Sequence, residues 1–177
     1  MKSSAPRYLP DEAVNADLDQ RLRSLLSACF SDPCFITRRY CHEMPAHRWI
    51  VEDERGELAA HTAAHDKLIG SQSGDIRVLG IAEVSVREDF RGRGLVRELV
   101  AAAHAWGRAE GFPYAMLFGR PEVYQSSGYS LIANPIRRFD SGRGEWETSP
   151  MDYAMVCPLD NAQHWPSGEI DIRGPLF

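Results

Sequence analysis

The passage from Ile76 to Glu110 constrains this chain more than any other. An apolar, β-branched run, Ile76 to Val86, leads through Arg87-Glu88-Asp89-Phe90 into Arg91-Gly92-Arg93-Gly94, and a long amphipathic stretch follows from Leu95 to Glu110. A continuous apolar run rich in β-branched residues favours a central strand. In the stretch after it, Leu95, Leu99, Ala102, Ala103 and Trp106 fall on one helical face, and Gly111 is a natural C-terminal stop. A strand feeding a helix through a glycine loop predicts α/β architecture and an anion site. The first N–H groups of a helix lack intrahelical partners, and the helix dipole makes that end partly positive. The missing side chains at Gly92 and Gly94 let a phosphate approach those amides, and Arg91 and Arg93 add charge. On the residues alone, the glycines serve either that anion or the turn. A Walker A loop is excluded because Leu95-Val96 stands where Lys-Ser/Thr is needed. A dinucleotide fingerprint is excluded because Arg97 stands where its third glycine would be.

The remaining chain supplies further elements. Asp17 to Phe30 predicts a helix with Leu18, Leu22, Leu25, Leu26 and Cys29 on one face, closed by Ser31-Asp32-Pro33. A short helix is expected over Phe35 to Glu43. Strands are expected over Arg48–Glu52 and Leu58–Leu68, joined at Asp53-Glu54-Arg55-Gly56, and again over Tyr114–Phe118, Tyr129–Ile132 and Asp152–Cys157. Pro121 to Ser127 predicts a short helix started by its proline. Asp140 to Ser149 is expected as a polar loop, and Glu169-Ile170-Asp171-Ile172 alternates as an edge strand does.

Composition narrows the class. The chain has 177 residues, of which 44% are hydrophobic and 25% charged, which predicts one folded domain over 1–177. A formal charge of −5 has the wrong sign for a general nucleic-acid binder, so no nucleic-acid partner is expected. No stretch is apolar enough to span a bilayer, and the N-terminus has no signal-peptide core, which predicts a cytoplasmic protein. Cys29, Cys34, Cys41 and Cys157 match no paired zinc spacing. They are expected as free thiols with no metal bound. His61 and His65 share a face of the expected strand and are taken as ordinary strand histidines.

The segment Glu83 to Val96 resembles the coenzyme A loop of GNAT acetyltransferases, written Arg/Gln-x-x-Gly-x-Gly/Ala after a strand ending in Val. Arg91 and Gly94 match, and Val96 replaces the small last residue. Downstream, Pro121-Glu122-Val123-Tyr124-Gln125-Ser126-Ser127-Gly128-Tyr129 resembles the family's second block, with Arg120-Pro121 where an asparagine is usual. Leu95-Val96, Pro158-Leu159-Asp160 and an aromatic C-terminus are similar to the aminoglycoside 2′-N-acetyltransferases. The tail from Trp165 to Pro175 resembles that of nodulation N-acyltransferases. The resemblance implies the α/β GNAT fold, a mixed, twisted sheet of six to seven strands flanked by helices.

It also implies a function: transfer of an acetyl group from acetyl-CoA to the primary amine of a small molecule, directly within a ternary complex. Val84, Ser85 and Val86 would hold the pantetheine arm, and Arg91, Gly92, Arg93, Gly94, Leu95 and Val96 the pyrophosphate. Tyr124 would protonate the departing sulfur; the alternative is a core tyrosine with a satisfied hydroxyl. Glu83 is the base candidate on its own chemistry, as a carboxylate in an apolar strand whose burial raises its pKa. It lies three residues before Val86, whereas the aminoglycoside enzymes place their glutamate four before, and a bulge would restore the direction. Glu83, Asp171 and Phe177 are expected on the acceptor side. Longer acyl donors, or a coenzyme A-binding module without catalysis, are the competing readings, and a homodimer is allowed.

Overall fold

The computed structural model describes residues 3–160 and 164–177, and its chain divides into two units, 1–64 with 82–103 and 65–81 with 104–177. In the first unit, Asn15 starts α1 (Ala16–Cys29) by accepting a hydrogen bond from the Leu18 amide at 2.9 Å. Leu18, Leu22, Leu25 and Leu26 recur at helical spacing and are buried, packing with Leu9, Phe35, Ile50 and Leu58. Leu22 is fully buried, and truncating such a residue to alanine costs about 2–5 kcal/mol. A second helix, α2 (Cys34–Thr37), packs against α1.

The strands of this unit are β1 (Arg7–Pro10), β2 (His47–Glu52), the first half of β3 (Leu58–Ser71) and the second half of β4 (Gly74–Val86). β1 pairs antiparallel with β2, and β2 antiparallel with β3. The expected helix over Phe35–Glu43 is cut short at Thr37. The backbone turns extended at Arg38, with φ of −136° and ψ of 154°, which ends the helix, and Arg39 then donates to Asp11 and Asp19. That reversal brings Cys41 back beside Cys34, with Cα atoms 5.4 Å apart and the sulfurs joined in a disulfide. The expectation of free thiols is therefore corrected for this pair. Cys29 and Cys157 are free. The third helix, α3 (Leu95–Ala109), places Leu95, Leu99, Val100 and Ala103 in the first unit, all buried.

The second unit takes the rest of β3, β4 and α3, with β5 (Tyr114–Phe118), α4 (Pro121–Tyr124), β6 (Ser130–Leu131), β7 (Ile136–Asp140), β8 (Glu145–Ser149), β9 (Ala154–Pro158) and β10 (Ile170–Asp171). Its sheet runs β6-β9-β5-β4-β3-β10-β7-β8. β4 and β5 are parallel, and β9 is antiparallel to β5. Ile69, Val78, Tyr114, Met116, Val156, Ile170 and Ile172 form its core. Strand number exceeds the expected six to seven because three strands carry weak local signals.

β1 follows Pro6 and ends in Pro10. The expected loop at Asp140–Ser149 is instead the β7–β8 hairpin. Apart from buried Ile136, its strand residues are half-buried to exposed, so no apolar alternation marks it. Cross-strand pairs hold it: Arg138 with Glu147, and Phe139 with Trp146 at 5.6 Å. The expected edge strand at the tail lies inside the sheet, between β3 and β7, with Ile170 and Ile172 fully buried. No helix among the described residues is long and apolar enough to cross a membrane.

Candidate active site

The glycine loop belongs to the first unit. Gly92 and Gly94 have φ of 73° and 81°, the left-handed region that L side chains rarely adopt. A Cβ on Gly92 would meet nothing within 4 Å, and one on Gly94 only the Arg97 guanidinium at 4.0 Å. Packing does not require these glycines; the backbone turn and the open space beside it do. Gly94 O accepts the first helical bond, from the Glu98 amide at 3.1 Å, so the amides just before Glu98 stand at the positive end of α3 without intrahelical acceptors. Arg91 donates through Nε to Val86 O at 3.3 Å, and Arg93 through Nη2 to Asp89 O at 2.8 Å, with its guanidinium over the Phe90 ring. Both arginines are exposed and anchored at the loop. Leu95 is buried as the first core residue of the helix, and Val96 is half-buried. The cradle suits a phosphate group.

Just before this loop, Val84 and Val86 are half-buried and Ser85 is buried, its hydroxyl making no hydrogen bond among the described residues. Glu83 has φ of 53°, and such a conformation at a non-glycine residue costs about 1–3 kcal/mol. It departs from extended geometry within β4, where Glu83 and Val84 are half-buried in succession after the buried run Val78 to Ala82. The Glu83 side chain is only 10% exposed. Burial pushes its carboxyl up to about 7 against the opposing pull of Arg48.

The surroundings of Glu83 were not foreseen from the sequence. Arg48, with a side chain 0% exposed, donates through Nη1 to Glu83 Oε2 at 3.1 Å and through Nε to Asp11 Oδ1 at 2.5 Å. Arg39 reaches the same Asp11 carboxylate at 3.0 and 2.5 Å. Burial pushes Asp11 up, but hydrogen bonds from Arg39 and Arg48 outweigh it and hold the carboxyl below its ordinary range. His61 is fully buried, and burial, reinforced by Arg48, drives its pKa well down, so it is neutral. Its Nδ1 lies 3.2 Å from Glu83 O and its Nε2 2.9 Å from Arg48 Nη1. The carbonyl can only accept and the guanidinium can only donate, which assigns the proton to Nδ1. His61 is thus part of the Glu83 surroundings, while His65 belongs to the second unit and stacks near Phe177 at 5.9 Å.

Tyr124 lies in the second unit at the end of α4. Burial pushes its hydroxyl above the ordinary tyrosine range, and it makes no hydrogen bond among the described residues. Its ring fits only because residue 119 is glycine: a Cβ there would sit 2.6 Å from Tyr124 Cε2. The ring of Tyr129 meets it edge-on at 6.1 Å. Tyr129 OH lies 2.9 Å from His104 Nε2, and Cys157 Sγ lies 4.0 Å from His104 Nδ1. Burial pushes His104 down to about 4 and the Cys157 thiol up, so this cluster carries no charge at neutral pH.

At the tail, Glu169 is exposed and Asp171 half-buried. Asp171 Oδ2 accepts from Arg137 at 2.7 Å and Oδ1 from the Arg173 amide at 2.8 Å. Phe177 packs on Phe118 at 5.2 Å and fills the space beside Gly80, where a Cβ would lie 2.8 Å from its ring. Asp32, Cys34 and Cys41 also lie together, but the two sulfurs are bonded to one another.

Comparison with known proteins bears on the whole arrangement. A family model described as an acetyltransferase (GNAT) domain matches residues 13–132, about two thirds of the chain. The uncharacterized N-acetyltransferase YhbS of Escherichia coli K12 is 27% identical over 85 residues, 48% of this chain and 50% of that protein. The chain thus spans about half the length of the curated relatives it matches. The crystal structure of the E. coli GNAT family N-acetyltransferase YhbS in complex with CoA superimposes with a TM-score of 0.68 at 19% identity, covering 95% of this chain and 89% of that one. A GNAT family acetyltransferase from Brucella melitensis in complex with acetyl-CoA gives 0.59 at 14% identity, covering 93% and 94%. These likenesses carry the fold and the family, and leave the aminoglycoside and nodulation subgroups as resemblances of short segments.

Proposed function

The chain belongs to the GNAT acetyltransferase family, and from that premise we propose that it transfers an acetyl group from acetyl-CoA to a primary amine of a small molecule, as one catalytic domain over 1–177. The observation that carries the reading is the loop before α3. Two left-handed glycines, alternating with two arginines, open a space beside helix amides that lack intrahelical acceptors, within the segment that the family model matches. In this proposal Gly92, Gly94 and the amides of Leu95 and Val96 receive the pyrophosphate, with Arg91 and Arg93 beside it. Val84, Ser85 and Val86 offer backbone groups to the pantetheine arm, and one N–H faces the thioester carbonyl as charge builds on its oxygen.

The proton transfers fall to two side chains. An amine attacks only after losing a proton, and the Glu83 carboxylate, titrating near 7, is poised to take it at neutral pH. As the C–S bond breaks, the thiolate takes a proton from the Tyr124 hydroxyl, which burial keeps protonated and which makes no hydrogen bond among the described residues. Glu83 and Phe177 are each proposed as acceptor contacts. The Asp171 carboxylate is already matched by Arg137, which weakens its attraction for a cationic amine.

The test is release of free thiol from acetyl-CoA across a panel of primary amines. Amine-dependent release by the wild-type protein, strongly reduced in Tyr124→Phe, supports the reading. Release only from longer acyl-CoA donors would change the donor. Coenzyme A binding with no release from any donor would make the chain a binding module.

A further inference from the structure

Glu83 does not lie loose in an apolar strand. One of its oxygens, Oε2, is held by Arg48 from β2, while Oε1 makes no hydrogen bond among the described residues. Its backbone carbonyl is held by His61 from β3, at the residue whose φ departs from strand geometry. The clamp has its own support. Arg48 is held at Nε by Asp11 and at Nη2 by the Arg39 carbonyl, 3.1 Å away, so all three of its nitrogens are engaged. Arg39 in turn is fixed by Asp11 and by Asp19 at 2.9 Å.

Charge matters as much as geometry. A buried arginine stays protonated, and a lone one beside a carboxylate depresses that carboxylate's pKa. Here Asp11 and Asp19 oppose Arg39 and Arg48, with Asp19 shared with Arg23 at 2.9 Å, and Asp11 lies nearer to Arg48 than Glu83 does, at 2.5 against 3.1 Å. Glu83 can therefore take up a proton without leaving Arg48 unmatched. His61, neutral, adds no charge.

We propose that Arg48, fixed by Asp11 and backed by neutral His61, is the positioning residue of Glu83: it anchors Oε2 so that Oε1 faces the acceptor proton. This rests on the reading of Glu83 as the base, and the experiment separates the two. The probe is the titration midpoint of the Glu83 carboxyl by ¹³C NMR of protein labelled at the glutamate carboxyl carbon, with Glu83→Gln supplying the assignment. Wild type is expected near 7. Arg48→Met should move the midpoint up by about 1–3 pH units, the usual effect of an opposite charge at this range. Arg48→Lys should return most of that shift. Mere loosening of the fold would do the reverse, since water entry lowers a desolvated carboxyl toward 4.5.

Should Arg48→Met fold poorly because Asp11 is left uncompensated, Arg48→Met with Asp11→Asn removes both charges and is expected to shift in the same upward direction. A midpoint that stays put or falls in both proteins overturns the proposal. If the midpoint rises as expected but Glu83→Gln turns over normally, Arg48 does position Glu83, yet the base reading fails. If Glu83→Gln is inactive while the midpoint ignores residue 48, the base reading stands and the positioning role is gone.

Discussion

Around Glu83 the first unit buries charge; around Tyr124 the second unit buries none. Arg48 and Asp11 keep their charges out of water because each has several hydrogen bonds to an opposite partner. His104, Tyr129 and Cys157 are equally buried, but desolvation keeps each neutral. Burial is the largest influence at both Glu83 and Tyr124, and it raises the proton affinity of both. The consequence differs because the starting values differ. A carboxyl raised to about 7 can exchange its proton at neutral pH. A phenol raised above 10 stays protonated and can only donate. The same physical cause thus yields a base in one cluster and an acid in the other.

The sharpest way to break this comparison is at the acid. Tyr124→Phe should lower kcat by about 10²- to 10³-fold while leaving acetyl-CoA affinity within about twofold, because only a transition-state proton transfer is removed. Unchanged turnover would return Tyr124 to a packing role. Glu83→Gln should cost less, about 10²-fold near neutral pH, since some amine arrives already deprotonated. In the wild type the rate should climb as pH rises through about 7, and this acidic limb should vanish in the variant. Stability gives a second check. A carboxyl whose folded pKa exceeds its ordinary 4.5 contributes stability that is complete below that value and lost as pH rises through about 7. Wild-type unfolding free energy should therefore fall across that window more than that of Glu83→Gln.

How much of this was legible follows from where each signal resides. The loop and α3 were readable because helix, glycine and arginine signals are all local. Tyr124 came from a contiguous block as well. The partners of Glu83 come from β2, β3 and the segment before α1, and nothing in the spacing of Asp11, Arg48 and His61 announces that they meet. Arg48 in particular looks like the polar start of a strand, yet it is fully buried. The β7–β8 hairpin escaped for a different reason: its stability comes from pairs such as Phe139 with Trp146, which exist only once the strands are in register.

Smaller effects sharpen the account of the tail. Phe177→Ala should lower stability by about 2–3 kcal/mol, below the range for a fully buried phenylalanine because this ring is half-buried. A rise in acceptor KM without that loss would place the ring in the acceptor pocket alone. Asp171→Asn should change stability by under about 1 kcal/mol, as its pair with Arg137 is partly exposed at 37% and 29%. A larger effect on acceptor KM than on stability would show that Asp171 meets the amine after all.

The central claim is that the loop before α3 receives the pyrophosphate of coenzyme A, and thermal unfolding with and without coenzyme A tests it most directly. A ligand that binds only the folded state stabilises it by mass action, by about 2.7 kcal/mol at a hundredfold excess over Kd. The wild-type protein should show a clear rise in Tm at millimolar coenzyme A. Gly94→Asp should show none, because it forces a side chain into a left-handed turn with φ of 81° and sets a negative charge against the phosphates. A wild type that does not shift, or a Gly94→Asp protein that shifts as far as the wild type, would contradict the claim.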